Sequence, residues 1–377
     1  MSQLKARTFF GELDDPFLLI KKIFIDYGYS KPVNYYNRLG FILHTCTLIL
    51  ENYFVVKNFS LDYFTKYGCV VILMHYFLIS QFLTILNEKL FKELIGERGS
   101  LFWKSDSSSP RVKNQIVKHS VKFNRKFCFV LFWFVALGII VSPVWGDLSE
   151  THLFPQVYKT YFGIWSPVFY YFYVSTLPLV AYTAIRIPAI ALYLILQLDL
   201  QKILLCEQIS LIPSSDQVRI YKKMRLCISQ DRELKKWIAK IRLSLKRNMS
   251  LYICIAFLCL ITVMFFILNN LTTTTDNVTK MGFFVAGMCG SLILYTFSEA
   301  GQLLFDYTED VSNTLIQCPW YCWNTKNRKL YLMLMQNCQK PLKINWGSVT
   351  LNYCFGGSVI KTCCSDASIF FKLRNDK

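Results

Sequence analysis

Seven stretches of roughly twenty mainly apolar residues recur along this chain, at about 39–57, 66–86, 127–145, 165–186, 250–270, 281–304 and 347–371. That is the length an α-helix needs to cross the hydrocarbon core of a bilayer. The blocks are continuous rather than alternating, as in Leu39-Gly40-Phe41-Ile42-Leu43 and Val70-Val71-Ile72-Leu73-Met74. In lipid every backbone polar group must be satisfied internally, which leaves helices and closed barrels, and continuous blocks select helices. A 377-residue chain that is 53% hydrophobic and 18% charged fits this class better than a soluble domain. The expected fold is an all-α membrane protein with seven transmembrane helices. No apolar core of signal-peptide length precedes Pro16, so the first span is expected to act as its own insertion signal.

Orientation follows from where the basic residues sit. Of 42 Lys and Arg, 33 fall in the N-terminal arm and the 2–3, 4–5 and 6–7 segments, and 7 on the opposite side. Arg186 and Lys361 lie within spans. Basic loops stay in the cytoplasm, so the N-terminus is expected inside and the C-terminus outside. The net charge of +18 is thereby explained by topology and not by a nucleic-acid ligand. Three Asn-x-Ser/Thr triplets, at Asn58, Asn270 and Asn277, fall in loops assigned to the outside, and one, at Asn248, inside.

No residue pattern calls for catalysis. The chain has no Gly-rich phosphate loop, no H-E-x-x-H and no nucleophile elbow. His44 and His75 lie in spans, His119 in a basic segment and His152 outside, which gives no metal-ligating group. The 14 cysteines lie almost wholly in spans or inside segments, where thiols stay reduced. Cys318 and Cys322 have metal-like spacing but no second ligand pair. No cofactor, metal or enzyme activity is expected.

The C-terminal stretch departs from the pattern of the other spans. A tryptophan-marked block, Cys318-Pro319-Trp320-Tyr321-Cys322-Trp323, precedes an amphipathic run over Lys329–Gln336, and Pro341 ends it. The last apolar span then carries Lys361 and Asp366. A charge at membrane depth costs several kcal/mol against lipid, so such groups face a bundle interior or a water-filled path. A short, weakly hydrophobic helix tucked between its neighbours is the alternative.

An inside N-terminus with seven spans is inverted relative to G-protein-coupled receptors, whose acid-Arg-Tyr and Asn-Pro-x-x-Tyr motifs are also missing. The chain resembles the insect odorant receptor family. The resemblance rests on Ser298 through Trp320, Arg328-Lys329-Leu330, Leu334-Met335-Gln336, Pro341-Leu342-Lys343-Ile344 with Gly347, and Lys361-Thr362-Cys363-Cys364-Ser365. This block of about 75 residues is specific in combination, while the first 300 residues match in topology and loop lengths only. Asp366 and Ala367 depart from it, standing where the family usually has aromatic residues. A 4–5 segment of about 60 residues, shorter than in the shared co-receptor, suggests an odour-tuning subunit.

The resemblance implies an odorant-gated, non-selective cation channel subunit, in a heterotetramer with the co-receptor, in the plasma membrane of a sensory dendrite. It implies three parts: a six-helix region over 1–304 with a ligand pocket in its outer half, a cytoplasmic anchor over 305–345, and a pore-lining seventh helix with a short extracellular tail over 346–377. A small volatile odorant needs a mostly apolar cavity. In the outer halves of the spans the candidate ligand-binding residues are Met74, His75, Gly138, Val141, Trp145, Tyr170, Tyr173, Phe284 and Met288, with ordinary helix packing as the alternative at each. Ser365, Ile369 and Leu373, at i, i+4 and i+8, form one stripe, with Asp366 on the adjoining face. Ile369 and Leu373 fall where the resemblance places the pore constriction, and an apolar ring closes a pore by dewetting. The alternatives are a lipid-facing stripe, an anchor helix that lies on the inner leaflet, and a metabotropic seven-helix receptor.

Overall fold

Two helices far longer than any bilayer is thick set the architecture of the protein, which is described here from a computed structural model over residues 15–104, 108–141, 153–271, 277–346 and 349–375. Numbered in chain order, a short α1 (Leu18–Lys21) runs into a π-helical turn (Lys22–Tyr27). Then come α2 (Lys31–Lys57), α3 (Leu61–Leu86), α4 (Glu88–Leu101) and α5 (Pro110–Val141). After α6 (Leu153–Phe162), α7 (Ser166–Val174) and α8 (Leu177–Ser210) follow the two long helices, α9 (Gln217–Leu271) and α10 (Asn277–Ile316). The chain closes with α11 (Thr325–Cys338) and α12 (Tyr353–Asn375). At 1.5 Å per residue the 55 residues of α9 extend about 80 Å. The spans expected at 250–270 and 281–304 are therefore parts of helices that continue into a second, polar-surfaced bundle.

Local chemistry sets the ends of these helices. Ser60 caps α3 by accepting from the Tyr63 N–H at 3.1 Å, and Pro32 opens α2, where its missing N–H costs nothing. α3 bends by 52° into α4 at Asn87, whose side chain donates back to Leu83 O at 2.7 Å.

Two sequence expectations need correction. The fourth span is not continuous. Just ahead of the expected start at 165, Gly163, at φ 50°, reverses the chain so that α6 folds back on α7, with Tyr158 meeting Tyr170 and Tyr173 and Phe162 meeting Phe169. A second break at Ser175–Thr176 precedes Pro178, which opens α8. Past Arg186 and Pro188 the helix continues to Ser210. The apolar window within 153–210 is 83% buried, and α8 is the central post of the molecule, packed against α3, α5, α9 and α10. The seventh helix also starts later than 347. Asn345–Trp346 and Val349–Thr350 form a two-residue antiparallel ladder, the one departure from an all-helical fold among the described residues, and Asn352 then caps α12 by accepting from the Phe355 N–H.

Among the described residues three helices are long and apolar enough to cross a membrane: Lys31–Lys57, the stretch within Leu153–Ser210 and Lys280–Ile316. Val70–Leu86 with Glu88–Glu97 makes a fourth if the bent pair is one span. Within its described part α9 has the apolar stretch Cys254–Leu268, and α12 contains Lys361, Asp366 and Lys372.

Arg186 sits where the span gives way to the second bundle and is 1% exposed. Its Nε donates to Phe24 O at 3.0 Å and its guanidinium lies 3.8 Å from the centre of the Tyr29 ring. A side chain at Gly28 would stand 2.6 Å from that Nε, so the close approach requires glycine. Beyond it, Trp237 donates to Leu94 O at 3.2 Å, and Asp15 accepts from Tyr193 and Gln197 at 2.9 and 2.8 Å.

Candidate functional site

An apolar cavity of about 50 Å³ lies where α3, α5, α8, α9 and α10 converge. Tyr76 and Phe77 enter from α3, Phe134 and Leu137 from α5, and Cys289 and Ile293 from α10. Small residues make the space: Ala184, Ala256, Ala286 and Gly290 all border it. Gly287 and Gly290 let α9 and α10 approach closely, since a Cβ at either would meet side chains of α9 at 3.3 Å. The polar groups at the wall are already satisfied. Tyr76 OH donates to Ala184 O at 3.3 Å and Cys289 Sγ to Trp133 O at 3.4 Å. A cavity of roughly 150 Å³ takes one benzene ring, so this one must widen by side-chain rearrangement to admit a ligand.

None of Met74, His75, Tyr170, Tyr173, Phe284 and Met288 lines that cavity. Met74 and Tyr173 come together one helix over, with the Tyr173 OH 3.7 Å from the Met74 sulfur. Tyr170 is close by, against Tyr158. His75 turns to α2: its Nδ1 donates to Val71 O at 2.7 Å and its Nε2 accepts from Asn52 at 3.2 Å. Phe284 is 53% exposed and edge-on to Trp133, and Met288, one turn on, is half-buried on the same side. Gly138 and Val141 belong to the last turn of α5. Trp145, like His152, Gly347 and the Thr272 that ends the Asn270 triplet, lies outside the described residues. The cavity lining includes the α9 residues Cys259 and Val263, from a span not in the sequence-derived set. The readable signal was the Ala286, Gly287, Gly290 run of small residues, which marks the α10 face that packs on α9.

α12 packs its other face on α9 and α10. Cys363 and Ala367 are fully buried, and Phe355 and Val359 close a larger apolar cavity of about 430 Å³ between the three helices. Its exposed face is mainly polar: Ser358, Lys361, Thr362, Ser365 and Ser368, with Cys354, Ile360, Cys364 and Ile369 among them. The Ser358, Thr362 and Ser368 hydroxyls donate to carbonyls one turn back at 2.7–2.9 Å. Asp366 is half-buried at the edge of this face, and Leu373 falls in the last turns of the helix. The exposed faces of other spans are the opposite. α2 turns out Ile42, Ile49 and Val56, and α5 turns out Phe132, Val135 and Ile139. The base of α12 is tied down: the Tyr353 hydroxyl donates to buried Glu299 on α10, which also meets Lys126 of α5 at 3.4 Å.

In the second bundle α11 is anchored by Asn327, whose amide donates to Gln217 O at 2.9 Å. Trp323 is buried, whereas Trp320, Tyr321, Leu332 and Met333 are exposed. Burial pushes the Cys227 and Cys338 thiols up to about 12 and Cys318 to about 11, so these groups are inert thiols rather than ligands.

This arrangement is that of a seven-helix chemoreceptor, and the chain belongs to the odorant receptor family: residues 60–364 match the family model described as 7tm Odorant receptor. It is a receptor fold and not an enzyme. The chain is similar in fold to the insect olfactory receptor OR5 from Machilis hrabei, with a TM-score of 0.67 and 14% identity over 93% of this chain and 92% of that one. The same receptor in complex with eugenol superposes with a TM-score of 0.63 and 13% identity, over 93% and 92%. No curated protein sequence matches the chain.

Proposed function

We propose that the chain is an odour-tuning subunit of a ligand-gated, non-selective cation channel that assembles as a tetramer with a co-receptor. The N-terminus and the second bundle lie in the cytoplasm, which the distribution of basic residues supports, and the C-terminus lies outside. A single observation carries the reading: α12 exposes a polar face where α2 and α5 expose hydrocarbon. In lipid such a face is costly, and it is at ease lining water between subunits. Residues 346–377 thus serve as the pore element, with Ser365, Asp366, Ile369 and Leu373 along it. Residues 305–345, with the exposed Trp320, Tyr321, Leu332 and Met333, serve as the anchor that meets partner subunits.

The ligand is a small volatile molecule held within the six-helix region. The apolar cavity around Tyr76 and Phe77, and the likeness to a receptor solved with eugenol, support this. Patch recording of the chain expressed with a co-receptor tests the reading. Odorant-evoked current should persist in excised patches without nucleotide. Current that requires a G protein and GTP would contradict it and favour a metabotropic receptor.

A further inference from the structure

Glu51 stands in the last two turns of the membrane-spanning helix α2, is 0% exposed, and neither of its carboxylate oxygens has a hydrogen-bond partner. The buried Tyr63 hydroxyl is unpartnered as well. Tyr173 of α7 lines the same niche as Glu51, and Tyr158 of α6 packs on Tyr173 with ring centres 5.8 Å apart. It borders a niche of about 10 Å³, shared with His44, Met74, Phe77 and Tyr173. That is room for a group the size of one water molecule.

The other polar groups of the niche are committed. The Thr176 hydroxyl donates to Tyr173 O at 2.6 Å, so His44 Nε2 donates to the Thr176 oxygen at 2.9 Å. The Tyr158 and Thr47 hydroxyls bond each other at 2.7 Å, and the Tyr173 OH points to the Met74 sulfur. Glu51 therefore keeps its acceptor capacity for something else. An isolated buried carboxylate is strongly unfavourable unless it takes up a proton or a cation meets it, and the face of an aromatic side chain such as Tyr173 favours cations. Phe77 also walls the apolar cavity of about 50 Å³ around Tyr76, so a group seated on Glu51 has hydrocarbon space directly beside it.

We propose that the niche is an ammonium subsite: it seats the protonated nitrogen of a small primary amine on Glu51, with the alkyl part passing Phe77 into the apolar cavity. The inference rests on the receptor reading and names a ligand class for it. An ammonium group brings three donors and a charge, whereas an alcohol brings one donor and no charge. A carbonyl odorant brings no donor.

The test uses the full chain, purified in lipid nanodiscs, with butylammonium and 1-butanol as probes of equal length. Thermal-shift titration should show butylammonium binding at least about tenfold tighter than 1-butanol. The isosteric Glu51→Gln should bring the amine to the level of the alcohol while leaving the alcohol unchanged. Equal affinity of the wild type for both probes overturns the inference without reference to any variant, and so does amine preference that survives in Glu51→Gln. Recordings separate the two readings. A channel opened by neutral odorants but indifferent to amines sinks the subsite and leaves the receptor. Glu51-dependent amine binding with no current from any odorant keeps the subsite and sinks the channel.

Discussion

Lys202 sits buried between two carboxylates, 2.6 Å from Asp199 and 2.6 Å from Asp310, at the point where α8 meets the far half of α10. Burial alone lowers a lysine pKa, but the two carboxylates outweigh it and hold this one above its ordinary value. Asp310 is half exposed, so the pair with Asp199 is the costly one to break. Lys202→Met leaves the buried Asp199 carboxylate without its cation and should destabilise the fold by about 3–5 kcal/mol, read as a lowered midpoint in thermal unfolding. His119, 3.3 Å from Asp199, is shifted the other way, because burial lowers its pKa more than Asp199 raises it. The unfolded imidazole titrates near 6.5 and binds its proton before the folded one does. This stability is therefore complete above that pH and is lost as pH falls below it. His119→Gln should flatten the fall in unfolding midpoint between pH 6.5 and 5, and an unchanged slope would show that other groups cause it.

At the scale of elements, the close contact between α10 and the start of α12 is the most sensitive joint. A Cβ on Gly301 would run into Leu351 O, a backbone atom that cannot swing aside as a side chain does. Gly301→Ala should displace the lead into α12, cost about 1–3 kcal/mol as an overpacked contact, and raise or abolish resting current while Ala at the open Gly357 does neither.

The seven apolar blocks were legible in sequence because hydrophobic length is a property of each segment alone. The ends of α9 and α10 were not, because helix continues without change of pattern after the membrane ends. The breaks around α7 left their mark in Gly163, Pro167 and Pro178, but an apolar count averages over such marks. Met74 and Tyr173 were found as neighbours in space, yet the cavity around Tyr76 and Phe77 was missed. Which face of a helix turns to which neighbour is decided by tertiary packing, here by the central placing of α8 and the close approach of α9 to α10 at Gly287 and Gly290.

For the molecule as a whole, two surfaces are left for partners. One is the exposed apolar group on and before α11. Met333 is 54% exposed, so Met333→Asp should leave the unfolding midpoint within the small range of surface changes. It should abolish co-purification with the co-receptor, and normal co-purification would favour a helix that lies on the membrane surface. The other is the polar face of α12, on which the channel reading depends. The most direct test is cysteine accessibility along this helix, after the exposed Cys354 and Cys364 are replaced by alanine. Cysteine at Ser358, Thr362, Ser365 and Ile369 should react with a charged, water-soluble thiol reagent in odorant-opened channels and change the current, while cysteine at Phe355 or Val359 should not. If the four exposed positions stay unreactive in closed and odorant-opened channels alike, α12 does not line the pore.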